Sequence, residues 1–355
     1  MCFFEKRRTK HNFEWFINND KIEEVEKFCY LGVIFSKTGN LKLAVKALTE
    51  QANRAMNNLL ALFKRTHMDL CTKFSLFDRM VVPILLYASE VWGIYGYNDI
   101  DIIHMKFCKL LLGVRKQTVN VAVLGELRRF PLFILARERC LKYWCKIIRN
   151  NNNTVHSVYQ EQCDSMLNKE NSWGFKVKQA IERLGLGNLW NNRDNETNFF
   201  PVIKCRIRDQ YIQEWRENIN SSSKLSYYSM FKLNFEFESY LSNIKNDTLR
   251  KTLTRFRISS HSLAIEYGRI QGIPRNERLC LCCNQNLVET EFHFIFICSK
   301  YNDIRSKYQL NYPWPNVIKF ISIMKSTRRI HQLKIAKHLK ESFNRRNLFI
   351  EHLNI

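Results

Sequence analysis

Four side chains with metal-binding chemistry lie close together near the C-terminal end of the chain, and they constrain its fold more than any other feature. Cys280, Cys283, His293 and Cys298 form a C-x2-C-x9-H-x4-C array. Thiolate and imidazole ligands at such spacings are typical of a structural zinc site with tetrahedral coordination. The array therefore predicts a small zinc module, because one metal ion can be bound only if the chain brings both pairs together.

The array leaves alternatives open. Cys282 permits a second register, a C-x-C pair in which Cys282 is used in place of Cys280 or Cys283. We prefer the C-x2-C register, which fits a tight turn. His293 and Cys298 can converge if a helix ends or tightens between them. The other interpretation is that these are ordinary apolar thiols, four of the 12 cysteines of the chain, in a reducing cell.

The residues around the array resemble the cysteine-rich C-terminal segment of non-LTR retrotransposon reverse transcriptases. The resemblance is carried by F-R-x-S-x-H-x-L-x-I-E-x-G-R from Phe256, I-P-R-x-x-R-x-C-x2-C from Ile273, E-x-H-F from Glu291 and C-x2-Y-x3-R from Cys298. It implies a segment that binds RNA or a primer-template duplex. The parent family is an RNA-directed DNA polymerase.

A second group of matches lies upstream, in the same order as in the family. FCYLGVIFSKTGN (Phe28–Asn40), KFSLFDRMVVPILLYASEVWG (Lys73–Gly93) and KFCKLLLGVRKQT (Lys106–Thr118) resemble the end of the palm and the thumb. The resemblance implies that Tyr30, Leu31 and Gly32 correspond to the primer grip, a hairpin that positions the primer end. The alternative is that this Tyr-Leu-Gly is only a buried strand.

An adjacent Asp pair, of the kind with which such polymerases hold two metal ions, is not found in the sequence. Asp99 and Asp101 come closest, but they precede a helical pattern, where a solvated helix cap is the expected role. The resemblance thus implies a fragment without the catalytic palm, inactive alone, with Mg²⁺ required only if an upstream palm exists.

The charge balance indicates a polyanionic partner. Lys and Arg number 56 against 33 Asp and Glu, which gives a formal net charge of +23, and such an excess favours RNA or DNA through phosphate neutralisation. The candidate contacts are arginines of the cysteine-rich segment and lysines of the C-terminal tail: Arg255, Arg257, Arg269, Arg275, Arg278, Lys334, Lys337 and Lys340. The alternative function is a domesticated, zinc-stabilised protein-interaction module whose charge serves solubility.

The sequence also limits the cellular compartments in which we expect the protein. No apolar run approaches the roughly 18 residues needed to span a bilayer, so we expect no membrane partner. The start, MCFFEKRRTKHNFEW, does not have the pattern of a secretory signal. Cysteines without an export signal indicate thiols in a reducing, intracellular environment. A nuclear location is implied only by the family resemblance.

Hydrophobic periodicity predicts a mainly α chain (α+β) with a small N-terminal antiparallel β element. Apolar residues recur at three- and four-residue steps from Leu41 to Phe63, which predicts an amphipathic helix. Further helices are expected from Leu70 toward Pro83, over Asp99–Leu112 and over Leu132–Arg149. The expected segments are 1–36 (palm-end β element), 37–150 (helical thumb-like bundle), 151–249 (helical connector), 250–310 (CCHC zinc segment) and 311–355 (basic tail).

Overall fold

The computed structural model describes residues 14, 16–23, 25–150, 154–164, 172–191 and 198–352. The chain divides into two compact units that alternate along the sequence. The first covers 1–68, 72–104 and 130–210, and the second covers 69–71, 105–129 and 211–355. The Asn-rich linkers predicted at 150–153 and 191–198 fall largely outside the described residues, as does the first predicted strand, CFFEK.

Among the described residues, the β-strands form two short antiparallel hairpins. Their strands are β1 Phe16–Ile17, β2 Asp20–Lys21, β3 Lys27–Tyr30 and β4 Val33–Ser36. Each hairpin has a two-residue turn, Asn18-Asn19 and Leu31-Gly32, and both residues of each turn have positive φ (47° and 71°, then 47° and 79°). Two consecutive residues with positive φ are the mark of the type I′ turn, whose twist matches that of paired strands. The predicted small antiparallel element is confirmed, as two separate hairpins.

Helices form most of the rest, as predicted. In chain order they are α1 Lys42–Arg65, α2 Leu70–Met80, α3 Val82–Leu85, α4 Ser89–Trp92, α5 Asp99–Leu112, α6 Asn120–Leu127, α7 Leu132–Arg149, α8 Thr154–Asp164, α9 Trp173–Arg183, α10 Gly187–Asn191, α11 Phe200–Asn220, α12 Ser226–Phe231, α13 Tyr240–Asn243, α14 Asp247–Arg257, α15 Ala264–Ile270, α16 Asn302–Lys307, α17 Val317–Lys325 and α18 Arg329–His352. Short 3-10 turns cover Ser223–Leu225, Arg275–Glu277 and Ser299–Tyr301.

Helix α1 shows how the apolar pattern determines the packing. Its buried residues repeat at three- and four-residue steps: Ala44, Val45, Leu48, Ala52, Met56, Leu59 and Phe63. Lys42, Lys46 and Arg54 lie on the exposed side. Lys64 and Arg65 occupy the last turn, where positive charge is favourable to the helix dipole. The predicted amphipathic helix is confirmed.

Pro83 and Asp101 determine where two of the helices, α3 and α7, begin. Pro83 lies in the first turn of α3, where its missing N–H removes no helical hydrogen bond, so it starts a new helix and does not kink α2. The Asp101 carboxylate accepts hydrogen bonds from the backbone N–H groups of Leu132 (2.6 Å) and Phe133 (3.1 Å) at the start of α7. Asp101 therefore caps a helix, but that helix is α7 and not its own, and with 16% of its side chain exposed it is not the solvated cap that was expected.

Each unit has an aromatic core of its own. In the first unit the largest fully buried side chains include Phe77, Trp92 and Trp144. In the second unit they include Trp215, Tyr228, Tyr240, Phe256, Phe294, Tyr301 and Phe320. The second unit therefore builds its core partly from the cysteine-rich segment, since Phe294 directly follows His293 and Tyr301 follows Cys298.

A close approach of α4 and α7 in the first unit gives a test of this packing. A Cβ atom at Gly93 would lie 2.3 Å from the backbone oxygen of Ala136, so Gly93→Ala should lower the free energy of unfolding by about 1–3 kcal/mol or more. Gly187→Ala is the matched control, because its Cβ would meet only Glu182 Cγ at 3.7 Å. Urea unfolding that shows equal stability for both variants would contradict this packing.

Candidate metal centre and nucleic-acid interface

A short antiparallel ladder brings the first pair of cysteines into a tight turn. Leu279 and Val288 form an isolated β-bridge. Beside it the Cys280 N–H donates to the Leu287 carbonyl at 2.9 Å, and the Glu289 N–H donates to the Arg278 carbonyl at 3.0 Å. The ladder closes the loop that contains Cys280 and Cys283, so both thiols belong to one fixed stretch of backbone.

A π-helical turn positions the second pair. Residues His293–Ile297 form this turn, and the Cys298 N–H donates to the His293 carbonyl at 2.9 Å, an i→i+5 hydrogen bond. In an α-helix, side chains five residues apart lie on different faces. The wider turn places them side by side. We expected the helix to end or tighten here; it ends at Cys298, but its last turn widens.

The four donor atoms converge on one point. The Cys280 and Cys298 sulfurs are 3.9 Å apart, and the Cys283 sulfur is 3.4 Å from His293 Nε2. All four donor atoms lie within 4.8 Å of one another, and all four residues are buried. Ligands about 2.0–2.3 Å from a tetrahedral centre would lie roughly 3.5–3.8 Å apart. The donor set and its spacing therefore fit a metal ion such as zinc.

The surroundings of the cluster favour the neutral form of His293 and hold the backbone of His293 and Cys298 in place. Burial lowers the pKa of the His293 imidazole, which favours the neutral ring that metal binding requires. The backbone of His293 is held by the Thr290 hydroxyl, which accepts its N–H at 3.1 Å. The Arg305 guanidinium donates to the carbonyl of Cys298 at 2.6 Å and to that of Ile295 at 3.4 Å. Arg305 thus fixes the backbone of the last ligand.

Cys282 belongs to a weaker alternative cluster. Cys280, Cys282 and Glu289 are also buried with donor atoms within 4.8 Å of one another. However, both oxygens of Glu289 accept hydrogen bonds from Arg346, each at 2.6 Å. A carboxylate engaged in this way is a poor third ligand. The geometry favours the C-x2-C register with four donors.

The segment before the ligands is tied to them through Glu291. The Glu291 carboxylate accepts a hydrogen bond from Ser259 at 3.0 Å and lies 3.1 Å from His261 Nε2. Although burial acts to raise it, the pKa of Glu291 is lowered by the hydrogen bond and charge of His261. Two of the sequence motifs, F-R-x-S-x-H and E-x-H-F, therefore meet in space.

Arg257 is not available to nucleic acid, contrary to the sequence-based expectation. Its side chain is 3% exposed and pairs with the fully buried carboxylate of Glu126 at 2.9 and 3.0 Å. A second carboxylate, Glu238, lies 2.8 Å away. The guanidinium also lies 4.7 and 5.1 Å from the rings of Phe231 and Tyr240. Arg257 is an internal structural residue of the second unit.

The other arginines of the segment differ in availability. Arg275 is exposed, and Arg269 is bound to Glu266 at 3.1 Å. Arg278 is half-buried and donates to the carbonyls of Ile273 (2.8 Å) and Ile265 (3.0 Å). Arg255 is exposed, and its Nε donates to a backbone carbonyl of residue 113. Arg275 and Arg255 are therefore better placed than Arg269 and Arg278 to meet a ligand.

The three lysines expected in a tail lie on α18, a helix that packs into the second unit. Lys337 is exposed, whereas Lys334 and Lys340 are half-buried. The Lys334 ammonium donates to Gln309 Oε1 at 2.5 Å. On the inner side of the same helix, Arg346 forms its buried pair with Glu289. The C-terminal region is thus an integral helix whose outer face carries the lysines.

The Tyr30-Leu31-Gly32 motif forms the tip of the β3–β4 hairpin. Tyr30 is 59% exposed and Leu31 72% exposed, so the alternative interpretation of this motif as a buried strand is wrong. The Leu31 carbonyl accepts a hydrogen bond from the Tyr87 hydroxyl at 2.6 Å. Gly32, with φ of 79°, supplies a backbone conformation that side chains disfavour. The hairpin presents its tip to solvent.

Sequence reasoning missed the residues that hold the centre in place. Arg305 was part of a recognised spacing, C-x2-Y-x3-R, so its role could have been anticipated from its distance to Cys298. Glu289 and Arg346 gave no such signal, because their contact spans 57 residues of chain.

The buried pair of Arg257 and Glu126 allows a test of the structural role of Arg257. Arg257→Met leaves a buried carboxylate without its main partner, so the free energy of unfolding should fall by about 3–5 kcal/mol. Arg275→Met changes the same charge at an exposed site and should stay within about 0.5 kcal/mol of the unsubstituted protein. Equal losses in urea unfolding would contradict a structural role for Arg257.

None of the described helices combines the length and the apolar character needed to cross a membrane.

Comparison of the chain with protein-family models, with curated proteins and with solved structures finds no match. The buried Cys280, Cys283, His293 and Cys298 cluster, which could hold a metal ion, is therefore the firmest structural guide to function.

Proposed function

We propose that this chain is a nucleic-acid-binding C-terminal part of a non-LTR retrotransposon reverse transcriptase. The observation that carries the proposal is the four-donor cluster of Cys280, Cys283, His293 and Cys298, in a segment whose motifs resemble that family. The exposed Tyr30-Leu31-Gly32 hairpin tip agrees with a primer-grip role. The family resemblance further suggests a nuclear location.

In this proposal the metal is structural zinc. Four protein ligands complete a tetrahedral shell and leave no open position for a substrate or water, which is the arrangement of structural sites. The metal joins the loop of Cys280 and Cys283 to the end of the π-helical turn. Binding therefore stabilises the fold of residues 279–305 and keeps the arginines before the array in fixed positions.

The electrostatic nucleic-acid contacts, made by the candidate arginines and lysines, lie in the second unit. Among the candidate arginines and lysines, the exposed Arg275 and Lys337 are the best placed to meet a ligand. Arg255 and Lys340 line a cleft. A guanidinium can pair with or stack on an exposed base, whereas an ammonium acts as a point charge on phosphate. We therefore assign sequence preference to the arginines and general affinity to the lysines.

One observation favours a different function, the zinc-stabilised protein-interaction module. Trp314 is 86% exposed and Ile318 78% exposed, close together in sequence at the start of α17. Exposed aromatic and aliphatic side chains are enriched at protein interfaces. Salt dependence separates the two functions, because an apolar interface would bind a protein with little change of affinity between low and moderate salt.

Zinc content provides the first test. Purified protein should contain one zinc ion, and Cys283→Ser should lose it together with amide protection over residues 279–305, because metal binding in such modules contributes on the order of 10 kcal/mol of folding free energy. Cys282→Ser is the matched control and should keep the metal. Loss of zinc in Cys282→Ser, with retention in Cys280→Ser, would show that the other register is used.

A salt titration tests nucleic-acid binding. If about six to ten phosphates are neutralised, affinity for structured RNA should fall by about three to five powers of ten between about 50 and 200 mM salt. Replacing Lys334, Lys337 and Lys340 together by Gln should flatten this slope by about 0.9 for each phosphate that is no longer neutralised. Arg275→Ala should instead change the ranking of RNA sequences.

The control for the titration is Lys307→Gln. Lys307 is exposed but already paired with Glu341 at 2.8 Å, so its removal should leave the slope unchanged. If the triple variant and Lys307→Gln have the slope of the unsubstituted protein, or if no nucleic acid binds at low salt, the protein-interaction module becomes the better account.

A further inference from the structure

A cleft of 390 Å³ in the second unit is lined by residues from parts of the chain that are remote in sequence. Its lining includes residues 113–115, residues 260–262 and three side chains of α18, Lys340, Phe343 and Asn344. The volume falls in the range of about 300–1,000 Å³ that small-molecule sites occupy. Residues 113–115 and 260–262 lie in motifs singled out in the sequence, LGVRKQT and F-R-x-S-x-H-x-L, and neither stretch contributes a ligand of the predicted metal centre.

The charged groups of the cleft are of one sign. Arg115, Arg255 and Lys340 line it, and the described residues of its lining include no Asp or Glu. Arg115 and Arg255 are exposed, so the cationic groups are reachable from solvent. Like charges gathered around a concave surface concentrate field lines and attract an anion. The polar lining also provides a donor suited to a phosphate, the hydroxyl of Ser262.

The cleft is held in shape before any ligand arrives. The Ser260 hydroxyl accepts the Arg115 N–H at 3.1 Å and lies 2.8 Å from the Thr118 hydroxyl. The Nε of Arg255 donates to the Gly113 carbonyl, so the guanidinium is anchored through one nitrogen. A preformed arrangement of this kind lowers the ordering cost of binding.

His261 supplies an independent sign that a ligand belongs here. It lines the cleft and is 4% exposed, its Nε2 is engaged with Glu291, and its Nδ1 is buried with no hydrogen-bond partner in the described part of the chain. A buried polar atom left without a partner is costly. Because Nε2 is engaged with the carboxylate, Nδ1 is the ring nitrogen that remains, and a polar group of a ligand would satisfy it.

We propose that this cleft binds one phosphate group of a single-stranded nucleic acid, together with its adjoining nucleoside. Arg115, Arg255 and Lys340 bind the phosphate oxygens, and the half-buried ring of Phe343 lies beside the nucleoside. The site is distinct from the metal cluster. The proposal rests on the proposed function and deepens it, because it assigns a defined pocket to one nucleotide within a largely electrostatic interface.

The test uses the full zinc-loaded chain and a 5′-phosphorylated adenylate trimer, with adenosine, 5′-AMP and inorganic phosphate as competitors. The trimer should protect amides of residues 113–115 and 259–262 from hydrogen exchange. Arg255→Gln and Lys340→Gln should each weaken the trimer about tenfold or more, the loss expected for one charge-assisted hydrogen bond. Arg329→Gln, an exposed arginine of α18 outside the cleft, is the matched control and should leave affinity unchanged.

Three outcomes would overturn the cleft assignment. They are equal affinity for adenosine and the phosphorylated trimer, equal weakening by Arg329→Gln and Arg255→Gln, and absence of trimer binding while structured RNA still binds with a steep salt slope. The last result would leave the proposed function standing. Binding of 5′-AMP without any binding of the trimer or of structured RNA would instead assign the cleft to free nucleotides and remove the proposed function.

Discussion

The convergence of three thiols and one imidazole on a single point is the constraint on which the cysteine-rich segment depends. The four ligands come from two short pieces of backbone that have little regular structure of their own, a short ladder around one β-bridge and one π-helical turn. Neither piece would be stable alone, since short elements lose more conformational entropy than their few hydrogen bonds offset. Phe294 and Tyr301 are fully buried in the core of the second unit, and a metal ion held by the four donors would fix both pieces of backbone against that core.

Around this centre the arginines divide into two groups with different physical roles. Arg257, Arg305 and Arg346 are buried and have a structural role. Each donates hydrogen bonds to a carboxylate or to backbone carbonyls of the second unit. Arg255 and Arg275 remain exposed. The count of 56 Lys and Arg residues therefore overstates the number of cations available to a polyanion, because some of them are engaged inside the fold.

The sequence predicted those features that depend on local pattern. The boundaries expected for α5 and α7 agree with the structure, because the apolar period and the turn residues that determine them are local. The buried cluster of four donors that could hold a metal ion was also accessible from spacing. The burial of Arg257 was not, since its partner Glu126 lies 131 residues away and only the folded core brings them together. The cleft between residues 113–115 and 260–262 was missed for the same reason, and the π-helical turn has no apolar period that distinguishes it from an α-helix.

The coordination sphere of the metal is the most direct test of the whole account. X-ray absorption at the zinc edge, on protein purified without added metal, should show three sulfur ligands at about 2.3 Å and one nitrogen ligand at about 2.0–2.1 Å. Four sulfur ligands would place Cys282 in the shell in place of His293 and contradict the assigned ligand set. A shell of oxygen and nitrogen alone would contradict a metal centre at this position.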